Sequence, residues 1–428
     1  MKTITRHGIA LLTLIVLATM IAPPADADEW TRFRGPAGHG ISAETGLLKS
    51  WPEGGPPMLW KLEGCGMGYS SVSFLGDLMF TMGDLDIGGE VEQYVMAYDL
   101  TMKERVWQTK IGPKHRDGSR CTPTVDGDRV YAVGTASDLV CLNAKTGEKI
   151  WSKNLEADFG GKMMSGWRWS ESPLIDGDRL ICTPGMPGAA MVALDKMTGE
   201  TVWKCRMPDI GGRGKDGAGY STIVISNACE IKQYVQILGR GAIGVEAETG
   251  KFLWGYNRVA NGVANITSPV IVGDFAFVTT SYKTGSALLK LVADGDGIVA
   301  EEVFWNGPDV FENHHGGVVR IGPYIYGGDG QNKGTPVCLD LRTGKPAWKV
   351  DAPAGGSAAV IAADGNLIFR YDKSDVFLVE ATPEAFRIKG KLNPPKDRGP
   401  AWAHPALRDG LLYLRHGNVI SCYDLRAK

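Results

Sequence analysis

The side chains best equipped for chemistry are Arg120, Glu171 and the histidines His314, His315 and His404. A carboxyl can carry a proton, a guanidinium can hold an anion, and clustered imidazoles can bind a metal or relay a proton. Each also has a plainer reading. Glu171 lies three residues after Arg168 and is expected to pair with it as a buried charge. Adjacent residues of a strand point to opposite sides, so one of His314 and His315 is expected to face a channel and the other the packing. Tyr69, Trp167, Trp169, Tyr220 and Trp402 offer ring faces for a planar ligand. Trp167, Trp169 and Trp402 are equally suited to plugging a channel, the favoured reading. Asp84, Asp86 and Glu90 lack the glycine-centred loop of a calcium site and read as solvated. No metal site is expected.

What positions these groups is a repeat. Ala97-Tyr98-Asp99 leads to Trp107, Cys141-Leu142-Asn143 to Trp151, Ala193-Leu194-Asp195 to Trp203, Gly244-Val245-Glu246 to Trp254, and Cys338-Leu339-Asp340 to Trp348. Most copies pass through Thr-Gly. A second phrase, Pro-x-x-x-Gly-Asp, precedes several copies, as in Pro123 to Asp128, Pro173 to Asp178 and Pro269 to Asp274. Both phrases separate short apolar runs, which is the pattern of strand, tight turn, strand. One unit therefore holds four strands, A to D, with the Trp at a fixed register on D, where it packs one sheet on the next. Trp60, Trp107, Trp151, Trp203, Trp254, Trp305 and Trp348 mark the period, about 50 residues. That is the signature of a β-propeller. Residues 357–392 form a unit without a Trp, and residues 402–424 supply only strands A to C. The strand around Trp60 is expected to complete that last unit, closing a ring of eight four-stranded antiparallel blades and removing two exposed edges.

Composition agrees with a large turn-rich globular chain: 428 residues, 57 glycines, 43% apolar residues and a formal charge of −2. The charge balance gives no support to a nucleic-acid partner. Lys2 and Arg6 precede an apolar run from Ile9 to Ala22, followed by Ala25-Asp26-Ala27. Residues 1–27 read as a cleaved signal peptide without a lipoprotein cysteine, leaving residues 28–428 as one propeller domain. The expected product is periplasmic or secreted, monomeric and free of an integral membrane segment. Cys141, Cys338 and Cys422 share one strand-C position in different blades, too far apart to bridge. Most of the eight cysteines are expected as buried thiols, and no pairing of Cys65, Cys182, Cys205 and Cys229 can be deduced.

The Leu-Asp-x-x-Thr-Gly-x-x-x-Trp phrase resembles the PQQ-like propeller repeat of quinoprotein alcohol dehydrogenases and of BamB-type envelope propellers. Phe33-Arg34-Gly35-Pro36, Gly161 to Trp167, Ser170-Glu171-Ser172-Pro173 and Asn313 to Gly317 are similar to secreted planctomycete propellers of that group. Aligning the units on Pro-x-x-x-Gly-Asp places Tyr69, Arg120, Ser170, Tyr220, Ile266, His315, Gly356 and Trp402 at one mouth of the ring. Glu171 follows one step on and His404 two. Asp84, Asp86, Arg240, Asp329, Lys333, Arg370 and His416 sit on B-to-C loops of the same face. The ligand-binding candidates are therefore Tyr69, Arg120, Arg168, Trp169, Glu171, Tyr220, His314, His315, Trp402 and His404. The resemblance implies the fold more than the chemistry. The sequence has no Cys-Cys pair, no Cys-x-x-Cys-His haem motif and no Gly-x-Ser-x-Gly element. The expectation is a non-catalytic exported module whose funnel face binds a protein, peptide or glycan, with no cofactor. The alternative is a PQQ- and calcium-dependent, or metal-dependent, oxidoreductase acting on alcohols or sugars.

Overall fold

A computed structural model describes residues 29–427, so the expected leader lies outside the described residues. The strands assemble into eight four-stranded antiparallel sheets. Blade 2 shows how the repeat folds. Its strands are Thr124–Asp126, Arg129–Val133, Asp138–Asn143 and Lys149–Asn154. Gly127, at φ 56°, makes the A-to-B turn. The Asn143 carboxamide oxygen accepts the backbone N–H groups of Lys145 and Thr146 at 2.9 and 3.0 Å, and Gly147 N–H returns to the Asn143 carbonyl at 2.8 Å. Asp99, Asp195 and Asp340 repeat this side-chain-to-backbone turn in other blades. The Asp-x-x-Thr-Gly phrase is thus a turn with a mechanism.

The seven repeat tryptophans each face a particular partner. Trp107, Trp151, Trp203, Trp254, Trp305, Trp348 and Trp60 lie opposite Ala97, Cys141, Ala193, Gly244, Ala287, Cys338 and Cys422. The strand-C position is small because an indole lies beside it. A Cβ at Gly244 would come within 2.0 Å of Trp254 Nε1. Four indoles also reach the next blade. Trp107, Trp151, Trp203 and Trp348 donate to the carbonyls of Ala144, Lys196, Ala247 and Thr382 at 2.9–3.1 Å. Blades 4 and 5 depart from this pattern. Trp254 donates to Gln233 of its own blade at 2.6 Å. In blade 5 Phe304 occupies the place against the next turn glycine, Gly344, while Trp305 lies under the Arg258 guanidinium.

The ring closes as expected. Met58–Glu63 pairs antiparallel with Val419–Asp424, so the N-terminal strand becomes strand D of blade 8. All eight cysteines are thiols, buried except the half-buried Cys229. Strand A lines the axis, and successive A strands touch from blade 1 to blade 3 and from blade 4 to blade 7.

The channel is plugged, but not by Trp167, Trp169 and Trp402. The plug is the segment that precedes the first blade. The Trp30 and Thr31 carbonyls accept from Phe74 and Val125 on the A strands of blades 1 and 2, and Ser42 N–H donates to Ala362 on that of blade 7. Between these anchors Arg34, at φ 63°, buries its guanidinium in the axis. It donates to the carbonyls of Val318, His39, Gly316 and Val360 at 2.6, 3.0, 3.3 and 3.3 Å, and to His404 Nδ1 at 3.2 Å. All these acceptors are neutral, and burial lowers the Arg34 pKa to about 10.

Candidate functional site

With the channel closed from below, the mouth formed by the D-to-A and B-to-C connections becomes a blind cavity of about 390 Å³. Phe33 lies in its lining, with its ring 4.8 Å from that of His404. The residue three before each Pro phrase supplies much of the wall: Tyr69, Arg120, Ser170, Tyr220, Ile266, His315 and Trp402. This follows from the repeat, because equivalent positions of equivalent strands converge on the axis. Gly356 is absent from the lining. Of the B-to-C loop candidates Asp84, Asp86, Arg240, Asp329, Lys333, Arg370 and His416, none reaches it either. Asp84 is engaged by Ser119 and by the N–H of His115, and Arg370 is buried with the Ala403 carbonyl.

Rings form one continuous wall. Tyr282 stands 5.2 Å from His314, His314 4.3 Å from His315, His315 4.9 Å from Trp402, and Trp402 4.7 Å from Tyr69. The expected division between His314 and His315 does not hold, since both line the cavity. The cause is a break in strand alternation. The ladder of Asn313–Ile321 loses register between Asn313 and Val318, and Gly317 takes φ 67°. Burial keeps the imidazoles neutral: His314 is lowered to about 4, His404 to about 3, and His315 well below its usual value. His404 Nε2 donates to the His315 carbonyl at 3.0 Å, which leaves Nδ1 to accept from Arg34. His314 is hydrogen-bonded to the Tyr282 hydroxyl at 2.9 Å and the Ser357 hydroxyl at 2.8 Å.

Arg120 is the cation of the lining, and its guanidinium is committed. It donates to the Trp167 carbonyl at 2.6 Å and to Asp117 at 3.0 Å, and lies 3.3 Å from His115 Nδ1. The Tyr220 hydroxyl is likewise occupied, by Ser165 at 2.6 Å and the Trp167 N–H at 3.3 Å.

Three candidates lie elsewhere. Arg168 takes φ 67°, which turns Trp167 toward the mouth, leaves Arg168 exposed and buries Trp169. Trp169 donates to the Thr183 carbonyl at 3.4 Å. Glu171 is buried away from Arg168, so the expected ion pair is corrected. Its carboxyl accepts from Thr183 N–H at 2.7 Å and Gln236 Nε2 at 3.0 Å, and burial raises its pKa to about 7.

Sequence reading missed Phe33, Tyr282, Gln331 and Asn332 as lining residues. For Tyr282 the residue types hide the turn. The B-to-C hairpin of blade 5, between Phe275–Thr280 and Gly285–Asp294, turns through Tyr282 and Lys283, both at φ 61°. Two successive left-handed residues are the pattern that favours Asn-Gly. For side chains with a Cβ the conformation costs roughly 1–2 kcal/mol per residue.

The family described as outer membrane protein assembly factor BamB matches residues 91–350. The BamB of Burkholderia pseudomallei is 22% identical over 255 residues, 58% of this chain and 58% of that protein, so the chain spans less than two thirds of that relative's length. Among solved structures, BamB from Moraxella catarrhalis has a TM-score of 0.58 at 13% identity, covering 86% of this chain and 99% of that one. The quinohemoprotein alcohol dehydrogenase of Comamonas testosteroni has a TM-score of 0.63 at 12% identity, covering 94% and 82%.

Proposed function

The chain belongs to the BamB family of PQQ-like propellers, and from that premise we propose that it is an exported, non-catalytic binding module of the cell envelope. The observation that carries this reading is the blind mouth: a rigid ring, closed below by its own N-terminal segment, presents a concave ring-lined surface to a partner. The relatives named for outer membrane assembly make a protein of that pathway the first partner to seek. Among the described residues no helix is long and apolar enough to cross a membrane.

The fold also hosts quinone-dependent alcohol dehydrogenases, which is the second reading. The cavity fits that group poorly. PQQ carries three carboxylates, and the one cation among the described lining residues, Arg120, is already held by Asp117. The described lining contains no carboxylate to bind calcium. The described lining thus offers a quinone one cation, already paired, and no set of calcium ligands.

The test is genetic. Deleting the gene in the native host is expected to raise sensitivity to a large antibiotic normally excluded by the outer membrane. Trp402→Ala should reproduce the deletion, and Val202→Ser on the outer rim should not. An intact barrier in the deletion strain would end the envelope reading. Dye-linked alcohol oxidation by purified protein with PQQ and calcium would revive the second.

A further inference from the structure

We propose that the mouth cavity is a saccharide subsite that admits the terminal ring of a neutral glycan, with Tyr282 as its specificity-determining contact. This rests on the reading that the mouth is the binding face.

The turn that carries Tyr282 is poor for folding. Tyr282 and Lys283 hold consecutive left-handed conformations that Asn-Gly would adopt without strain. Strained conformations cluster at ligand clamps, and of the two such pairs among the described residues, Cys229-Glu230 and Tyr282-Lys283, only the second reaches the cavity. Here it sets the Tyr282 ring at the lip of the cavity and its hydroxyl 2.9 Å from His314 Nε2. His314 is fixed in turn by Ser357 at 2.8 Å. A phenol hydroxyl has one donor and two acceptor positions, so this chain orients it and leaves hydrogen-bonding capacity over. The next loop brings the exposed amides of Gln331 and Asn332 to the same lip, Asn332 again left-handed at φ 55°.

The electrostatics select against charge. The imidazoles of the wall are neutral, Arg120 is engaged by Asp117, and the described lining has no carboxylate. Inside the cavity a charged ligand would lose its hydration and meet only Arg120, already paired with Asp117, the second arginine on that carboxylate, Arg116, lying outside the lining. A pyranose suits both parts of the surface. Its C–H face lies against rings, and its hydroxyl edge meets phenol, imidazole and amide groups. The volume of 390 Å³ is at the small end of ligand cavities, which run to about 300–1,000 Å³. Because Phe33 and Arg34 close the channel, a glycan cannot thread through and enters by an end.

The test is titration of purified protein, followed by tryptophan fluorescence, with cellohexaose, maltohexaose, xylohexaose, chitohexaose and, as the acidic control, a galacturonic acid hexamer. Saturable binding of at least one neutral oligomer is expected, with the acidic one at least tenfold weaker. Tyr282→Asn should weaken binding at least tenfold while its thermal midpoint stays equal or rises, because the turn relaxes. Tyr282→Phe, which keeps the ring, should weaken it about fivefold. The proposal is overturned if no neutral oligomer saturates, if the acidic one binds as well, or if Tyr282→Asn and Tyr282→Phe bind like the parent. If no oligomer binds while the Trp402→Ala strain still leaks, the saccharide assignment falls and the mouth reading stands. If an oligomer binds while that strain keeps its barrier, the envelope role falls and the subsite stands.

Discussion

At the scale of single residues, the buried ionisable groups pull stability in opposite directions with pH. His314 and His404 titrate near 4 and 3 in the fold and near 6.5 when unfolded, so the unfolded chain binds more protons below pH 6.5. Their contribution is present at neutral pH and is lost as pH falls toward 4. Glu171 has the opposite sign. Its folded pKa of about 7 lies above the ordinary 4.5, so its stabilisation is present at low pH and is lost as pH rises through 7. Glu171→Gln is therefore expected to raise stability by about 1–3 kcal/mol at pH 8, with the gain shrinking toward pH 5. Thermal melts of both proteins between pH 5 and 8.5 check this, and a pH-independent difference would contradict it. The identity of the mouth residues was legible, since Tyr69, Arg120, Tyr220, His315 and Trp402 follow from repeat register alone. The fate of Glu171 was not. Its partners Thr183 and Gln236 come from neighbouring strands whose side-chain contacts leave no trace in local spacing.

At the scale of the strand and the turn, the repeat is an interlock between an indole and the next blade's glycine. At Gly199, φ 75°, an added Cβ would meet the Trp151 ring at 2.9 Å, and at Gly250, φ 76°, the Trp203 ring at 2.5 Å. Gly250→Ala combines backbone strain with overpacking and is expected to cost about 2–4 kcal/mol. Gly177→Ala, in an open A-to-B turn with φ 59° and nothing within 4 Å, should cost only the strain, about 1 kcal/mol. Urea unfolding of the two variants separates the terms, and equal losses would refute the interlock. The sequence showed this element well because turn and Trp recur at fixed distance. It did not show that strand D carries a register shift beside the Trp position in all eight blades, as between Cys141 and Leu142 or Cys338 and Leu339. A bulge on an outer strand twists an edge that would otherwise invite pairing with another chain. The extra residue is an apolar, exposed Leu59, Val106, Ile150, Val202 or Val303 in five blades, which composition presents as ordinary strand.

For the whole molecule, two long-range closures turn a repeat array into a cup. The first joins Met58–Glu63 to Val419–Asp424 and was legible, because an orphan Trp strand and an incomplete last unit ask for each other. The second, the plug, was not, since Phe33-Arg34-Gly35-Pro36 belongs to no repeat and its partners are backbone carbonyls up to 326 residues away. Arg34→Ala strips the donors from four carbonyls and should destabilise the fold by about 2–5 kcal/mol. Arg34→Lys should recover only part, because one ammonium cannot reach acceptors spread around a planar fork. Equilibrium denaturation checks both. On this reading partners approach the mouth formed by the B-to-C and D-to-A connections. Site-specific photo-crosslinking in the native host tests it most directly, with the photoreactive residue placed at Gln331 on the mouth or at Met197 on a C-to-D turn of the opposite face. Discrete adducts are expected from Gln331 and none from Met197. Adducts from Met197 with none from Gln331 would contradict it.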